Sequence, residues 1–142
     1  KAARFARMKR IGRNGKIYAI CDSLAAIEKG VKWYSQDTDA IQVASMFHDK
    51  GKVVKPHMHK FRPRSLNYTQ ECIIVMKGKI EFSFYDQDKM FLDRIVLNPG
   101  DLIVVYGGYH GMEVIEDDTL YFEIKTGPFA GNDVDKEFIG GV

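Results

Sequence analysis

Apolar and polar residues alternate at period two along most of this chain, and no segment longer than about a dozen residues holds a helical period. Ile80, Phe82 and Phe84 alternate with Lys79, Glu81 and Ser83, which predicts a strand with one buried face. The preceding run, Glu71–Lys77, is apolar on both faces: Ile73 and Val75 on one, Cys72, Ile74 and Met76 on the other. It is therefore expected to be covered on both sides. Further strands are predicted at Lys16–Ser23, in VKWYS and AIQVASMFHD, and at KVVKPHMH after the Lys50–Gly51 turn. FLDRIVL, DLIVVY, YHGMEVIE and TLYFEIK complete the set, separated by DQDK, Asn98–Asp101 and Asp117–Asp118 turns. Leu24–Gly30 reads as a helical turn or a loop. Nine or ten short strands with frequent turn signals predict an all-β sandwich or small barrel.

The 142 residues fit one domain, 45% of them hydrophobic, without repeats or an internal linker. A basic N-terminal arm (1–15) and a C-terminal tail (127–142) flank the strands. Seven of the 21 Lys and Arg, and no acid, fall in residues 1–16, so residues 17–142 carry a net charge of −5. No basic stripe continues beyond the arm, so a solvated terminus is expected rather than a nucleic-acid partner. No apolar run reaches the roughly 18 residues of a membrane helix, and the N-terminus lacks a signal-peptide core. Cys21 and Cys72 form no CxxC motif and are expected to be buried reduced thiols, which suggests a cytoplasmic protein. The two-faced strand and the apolar N-terminal strands call for more cover than one chain supplies, and predict a homodimer.

The candidate chemistry gathers between Lys55 and Gly78. In an extended strand, His57 and His59 point to one face, with Glu71 opening the next predicted strand and His110 beginning a later one. Imidazole nitrogens and a carboxylate suit one divalent transition metal per chain, namely Fe, Mn, Ni, Co, Cu or Zn. Arg62 and Arg64 flank Pro63 beside this set and offer forked donors for a phosphate or carboxylate, against the alternative of a solvated loop. Tyr68 and Tyr106 are further candidates for ligand contact, and Tyr109 is expected to point away from His110's face. His48 lies outside any ligand spacing and reads as a surface histidine.

The spacings His57-Met58-His59, Glu71 followed by CIIVMK and Gly78, and Pro99-Gly100-Asp101 followed by LIVVYGGY and His110 resemble the two motifs of the cupins. That resemblance implies a jelly-roll barrel, the double-stranded β-helix, with His57, His59, Glu71 and His110 as metal ligands. The ending FEIKTGPFAGNDVDKEF (122–138) resembles that of WbuC-type small cupins, which are encoded with O-antigen and capsular polysaccharide enzymes. Two features depart from the family pattern. Eleven residues (60–70) separate His59 from Glu71, a longer connection than usual, and Val105 and Val114 stand where the second motif often has Pro and Asn.

The resemblance implies a metal-binding protein that acts on or binds a small carbohydrate-pathway metabolite, anionic or sugar-derived, with nucleotide sugars as candidates. Isomerase, epimerase or lyase chemistry is the enzymatic expectation. The alternatives are a metal-dependent dioxygenase, a non-catalytic sensor or binding module, and a structural metal domain.

Overall fold

The computed structural model describes residues 8–140, so most of the basic arm (1–7) and the end of the tail (141–142) lie outside the described residues. Ten strands follow in order: β1 (Lys9–Arg13), β2 (Lys16–Ser23), β3 (Gly30–Trp33), β4 (Ala44–Phe47) and β5 (Glu71–Lys77). Then come β6 (Ile80–Tyr85), β7 (Phe91–Leu97), β8 (Asp101–Val105), β9 (Tyr109–Val114) and β10 (Leu120–Lys125). Among the described residues, helix is confined to a 3-10 turn at Leu24–Ala26 and a single α-turn, α1 (Asn132–Asp135). The all-β expectation is met. All ladders are antiparallel, in a five-stranded sheet β1-β2-β8-β5-β10, a three-stranded sheet β7-β6-β9 and the β3–β4 hairpin. The sheets do not close into a barrel in this structure.

Alternation decides which side chains meet. Ile80, Phe82 and Phe84 leave one face of β6 and are essentially solvent-free. Ile73 and Val75 of β5, Ile103 and Val105 of β8, and Ala19 and Cys21 of β2 join them in one core between the two sheets. Burying each large side chain contributes about 1.5–3 kcal/mol. The opposite face of the five-stranded sheet carries a second cluster of Ile20, Tyr34, Ile41, Cys72 and Val104. Both faces of β5 are therefore used, but the outer one is covered only in part: Cys72 is buried, Ile74 half-buried and Met76 exposed. Both cysteines are free and buried, Cys21 in the inner core and Cys72 in the outer cluster.

The basic arm is not wholly a solvated terminus. Asn14 and Gly15, at φ 51° and 77°, make the tight turn that folds Lys9–Arg13 back on β2 as strand β1. Ile11 enters the core, and two of the arm's charges bridge to the other sheet: Lys9 to Asp93 at 2.6 Å and Arg13 to Asp86 at 3.1 Å.

A second correction concerns KVVKPHMH. Residues 48–70 form no strand, and the expected strand over Lys52–His59 is an exposed segment without regular structure here. Pro56 has no N–H to donate to a ladder, and residues 51–70 carry five bases and no acid, so the segment gains little from folding on itself. The edges of β9 and β10 facing away from β6 and β5 are correspondingly free.

Candidate functional site

Glu71 is the first residue of β5 and shares the inward face with Ile73 and Val75. It lies opposite Val105 of β8 and Lys125 of β10, at the end of the five-stranded sheet where the core gives way to solvent. His110 sits at the start of β9 opposite Phe84, and so also faces inward, from the other sheet. A tight approach places it there. Gly108 has φ 76°, and a Cβ at that position would fall 2.6 Å from the Tyr85 carbonyl oxygen and 2.7 Å from the Tyr18 ring.

The two sheets thus bring an imidazole and a carboxylate together, with His110 Nε2 2.6 Å from Glu71 Oε1. Burial pushes the Glu71 carboxyl upward, but the His110 hydrogen bond and charge, with the charges of Lys125 and Lys136, outweigh it. Its pKa therefore lies below the ordinary value, and the group is an anion at neutral pH.

His57 and His59 are neighbours, their ring centroids 5.4 Å apart, on the exposed segment. His57 Nδ1 is 2.8 Å from the Lys55 carbonyl oxygen. Because a carbonyl only accepts, Nδ1 is the donor in that contact, and in a neutral ring Nε2 is then the nitrogen left for a metal. Among the described residues, however, no three His, Cys, Asp or Glu side chains converge closely enough to hold a metal. The structure joins Glu71 with His110 and His57 with His59, but not the four together.

Arg62, Arg64 and Tyr68 are exposed on the same segment, as is His48 before it. Tyr106 needs correction as a site residue. It follows inward-facing Val105 and so turns to the outer cluster, where its hydroxyl donates to the Tyr34 carbonyl. Burial raises its pKa to about 12, which removes it from acid–base work near neutrality. Tyr109 points away from His110's face as expected, and its hydroxyl donates to Glu137 Oε1 at 2.7 Å. Lys89 lies 5.6 Å over the Tyr109 ring centroid and 3.6 Å from Glu137, so the tail is pinned beside the start of β9. Glu137 and Lys125 had no local sequence signal. The first lies 28 residues from its partner, and the second reaches the site only through strand register.

No protein-family model, curated protein or solved structure matches the chain.

Proposed function

We propose that this chain is a metal-binding protein of cupin type that binds or acts on a small anionic, sugar-derived metabolite. The observation that carries the reading is the Glu71–His110 pair, one donor from each facing sheet, held at the rim of the core with the carboxylate ionised. The donor chemistry fits one divalent transition metal: Glu71 and His110 supply an oxygen and a nitrogen, and His57 and His59 supply two further nitrogens. Such an ion polarises a carbonyl or hydroxyl oxygen of a bound ligand. The chain's own part is to present these donors, with the Glu71 carboxylate ionised at neutral pH, and to attract the anion. Lys125 stands opposite Glu71 in the ladder, and Arg62 and Arg64 carry further positive charge on the segment that bears His57 and His59.

A non-catalytic binding module is the second reading. It is favoured by the position of Tyr106, just after β8, whose hydroxyl is taken up in the outer cluster rather than at the Glu71–His110 rim. Both readings include a homodimer. Val31, Trp33 and Met46 share the exposed face of the β3–β4 hairpin, an apolar strip that a second copy would cover. Elemental analysis combined with calorimetric titration by nucleotide sugars and sugar phosphates tests the reading, and light scattering tests the dimer. A metal-free protein that stays so after reconstitution with each candidate ion overturns the metal reading.

A further inference from the structure

We infer that the C-terminal tail, from Thr126 to Glu137, carries Lys136 to the rim, where Lys136 and Lys125 form a subsite for an oxyanion. The oxyanion is the phosphate or carboxylate of a sugar-derived ligand. This rests on the reading of the Glu71–His110 rim as a ligand site and adds the part of the chain that holds the ligand's charge.

The path of the tail places it there. Strand β10 gives way to the tail beside Gln70: the Thr126 N–H donates to the Gln70 carbonyl oxygen at 3.1 Å, and the Gln70 N–H donates to Thr126 Oγ1 at 3.1 Å. Further along, Glu137 Oε1 accepts from the Tyr109 hydroxyl at 2.7 Å and lies 3.6 Å from Lys89 Nζ. Gln70 immediately precedes Glu71, and Tyr109 immediately precedes His110. The tail is therefore tied to the chain neighbour of each member of the pair, at the end of the core where the two sheets bring them together.

Between those ties the tail is held in shape. The Lys136 N–H closes α1 on the Asn132 carbonyl oxygen at 2.9 Å, and Asp135 Oδ2 accepts from the Ala130 N–H at 3.0 Å. The backbone of Lys136 thus lies between a closed turn and the Glu137 tie, while its side chain is exposed.

Charge supplies the chemistry. Lys125 stands opposite Glu71 in the ladder, with its ammonium 4.6 Å over the ring centroid of Phe129 in the tail. Its ion-pair partner, Glu123, is 4.0 Å away, too far for a hydrogen bond. Lys136 forms no ion pair among the described residues. The charges of both lysines reach Glu71. Glu71 is itself engaged by His110, Glu137 by Tyr109 and Lys89, and Asp135 by the Ala130 N–H, which leaves Asp133 as the tail's remaining acid. Two ammonium groups with donors to spare beside one engaged carboxylate complement an oxyanion.

Calorimetric titration of the full chain with glucose 6-phosphate and with glucuronate tests this, with glucose as the uncharged probe. Each titration is run with chelator and after reconstitution with each candidate ion. One or both anions are expected to bind and, in the chelated protein, to shift the amide resonances of Lys125, Thr126 and Lys136; the stronger of the two distinguishes phosphate from carboxylate. Lys125→Ala and Lys136→Ala should each weaken that binding about tenfold. Lys77→Ala, the same loss of charge at the far end of β5, should leave it unchanged. Glu137→Ala removes a negative charge, which alone would strengthen anion binding, but by untying Lys136 it is expected to weaken it. Absence of anion binding at millimolar concentrations overturns the inference, as does unchanged affinity in Lys136→Ala. An equal loss in Lys77→Ala also overturns it, because the attraction is then a property of net charge. Anion binding that depends on Lys136 in a protein that takes up no metal keeps the subsite and removes the metal reading. Metal uptake with an anion affinity indifferent to Lys136 does the reverse.

Discussion

Glu71 and His110 lie 39 positions apart in the chain and on different sheets, yet Glu71 Oε1 and His110 Nε2 are 2.6 Å apart. The contact follows from parity. Glu71 inherits the inward direction of Ile73 and Val75, and His110 that of the residues facing Phe82 and Phe84. Each side chain completes a row of core positions at the end where the core meets water. A carboxylate kept ionised there by a neighbouring imidazole and two lysines is a donor for a cation.

The first prediction concerns that donor set. The purified protein is expected to carry about one divalent metal per chain. His110→Ala and Glu71→Gln should each reduce metal content by tenfold or more at limiting free metal, an effect on the order of that of a lost metal-site group. His48→Ala, at an exposed position outside the set, should leave it unchanged. Elemental analysis after dialysis reads the result, and full retention by the His57→Ala/His59→Ala/His110→Ala variant would exclude this site.

Much of this arrangement was legible before any coordinates. The alternation in β6 and the two apolar faces of β5 predicted their burial, because side-chain parity is a local property of an extended chain. Tyr106 was legible too: Ile103 and Val105 face inward, so residue 106 had to face out, and reading it by its closeness to His110 in the chain misplaced it. Strand β1 was hidden behind its charges. Asn14–Gly15 is a strong hairpin signal, but Lys9 and Arg13 are neutralised by Asp93 and Asp86 of the other sheet, a pairing that no local pattern reveals. Lys52–His59 failed for a different reason. Its alternation suits a strand, but Pro56 has no N–H to give a ladder, and the bases of residues 51–70 have no acid within the segment to pair with.

Gly108→Ala should destabilise the fold and disturb His110 together. A Cβ would lie 2.6 Å from a backbone oxygen, and φ at 76° is unfavourable for a residue with a side chain. The expected loss is about 2–4 kcal/mol, from backbone strain and overpacking combined. Urea midpoints at constant slope measure it. A shifted His110 imidazole resonance in the variant that stays folded checks the coupling to the site.

Asp22 predicts a pH dependence. Its buried carboxylate accepts from Lys32 Nζ at 2.7 Å, Tyr34 Oη at 2.8 Å and the Ser23 N–H at 2.9 Å. Burial pushes its pKa up, but these hydrogen bonds and the Lys32 charge outweigh that, so the folded pKa lies below the ordinary one. A depressed carboxylate pKa contributes stability above the unfolded value of about 3.9, and the contribution disappears as pH falls through the folded value. Asp22→Asn should therefore cost about 1–3 kcal/mol at pH 7, through weakened hydrogen bonds to a partly exposed lysine. The difference between variant and wild type should shrink below about pH 4. Urea titrations of both proteins across that range decide it; a gap constant with pH would mean that the carboxylate's charge plays no part.

The last prediction separates the two roles open to the long connection before Glu71. Residues 60–70 hold Arg62 and Arg64 around Pro63, and both guanidiniums lie on an exposed stretch that leads directly into the Glu71 end of β5. The fixed φ of proline limits their spread, and two cations on the stretch that leads into an ionised carboxylate would favour an anionic ligand over a neutral one. Arg62→Ala/Arg64→Ala is expected to leave folding and metal content intact, because neither arginine has a hydrogen-bond or ion-pair partner among the described residues. Binding of a phosphorylated sugar or nucleotide sugar should weaken by about ten- to a hundredfold, the equivalent of one charge-assisted hydrogen bond of about 1.5–3 kcal/mol. Calorimetric titration of both proteins measures this, with an uncharged sugar as the control that should bind both alike. Equal affinities for the anion would make the connection a solvated surface loop, while loss of metal in the double variant would show that it serves to position Glu71.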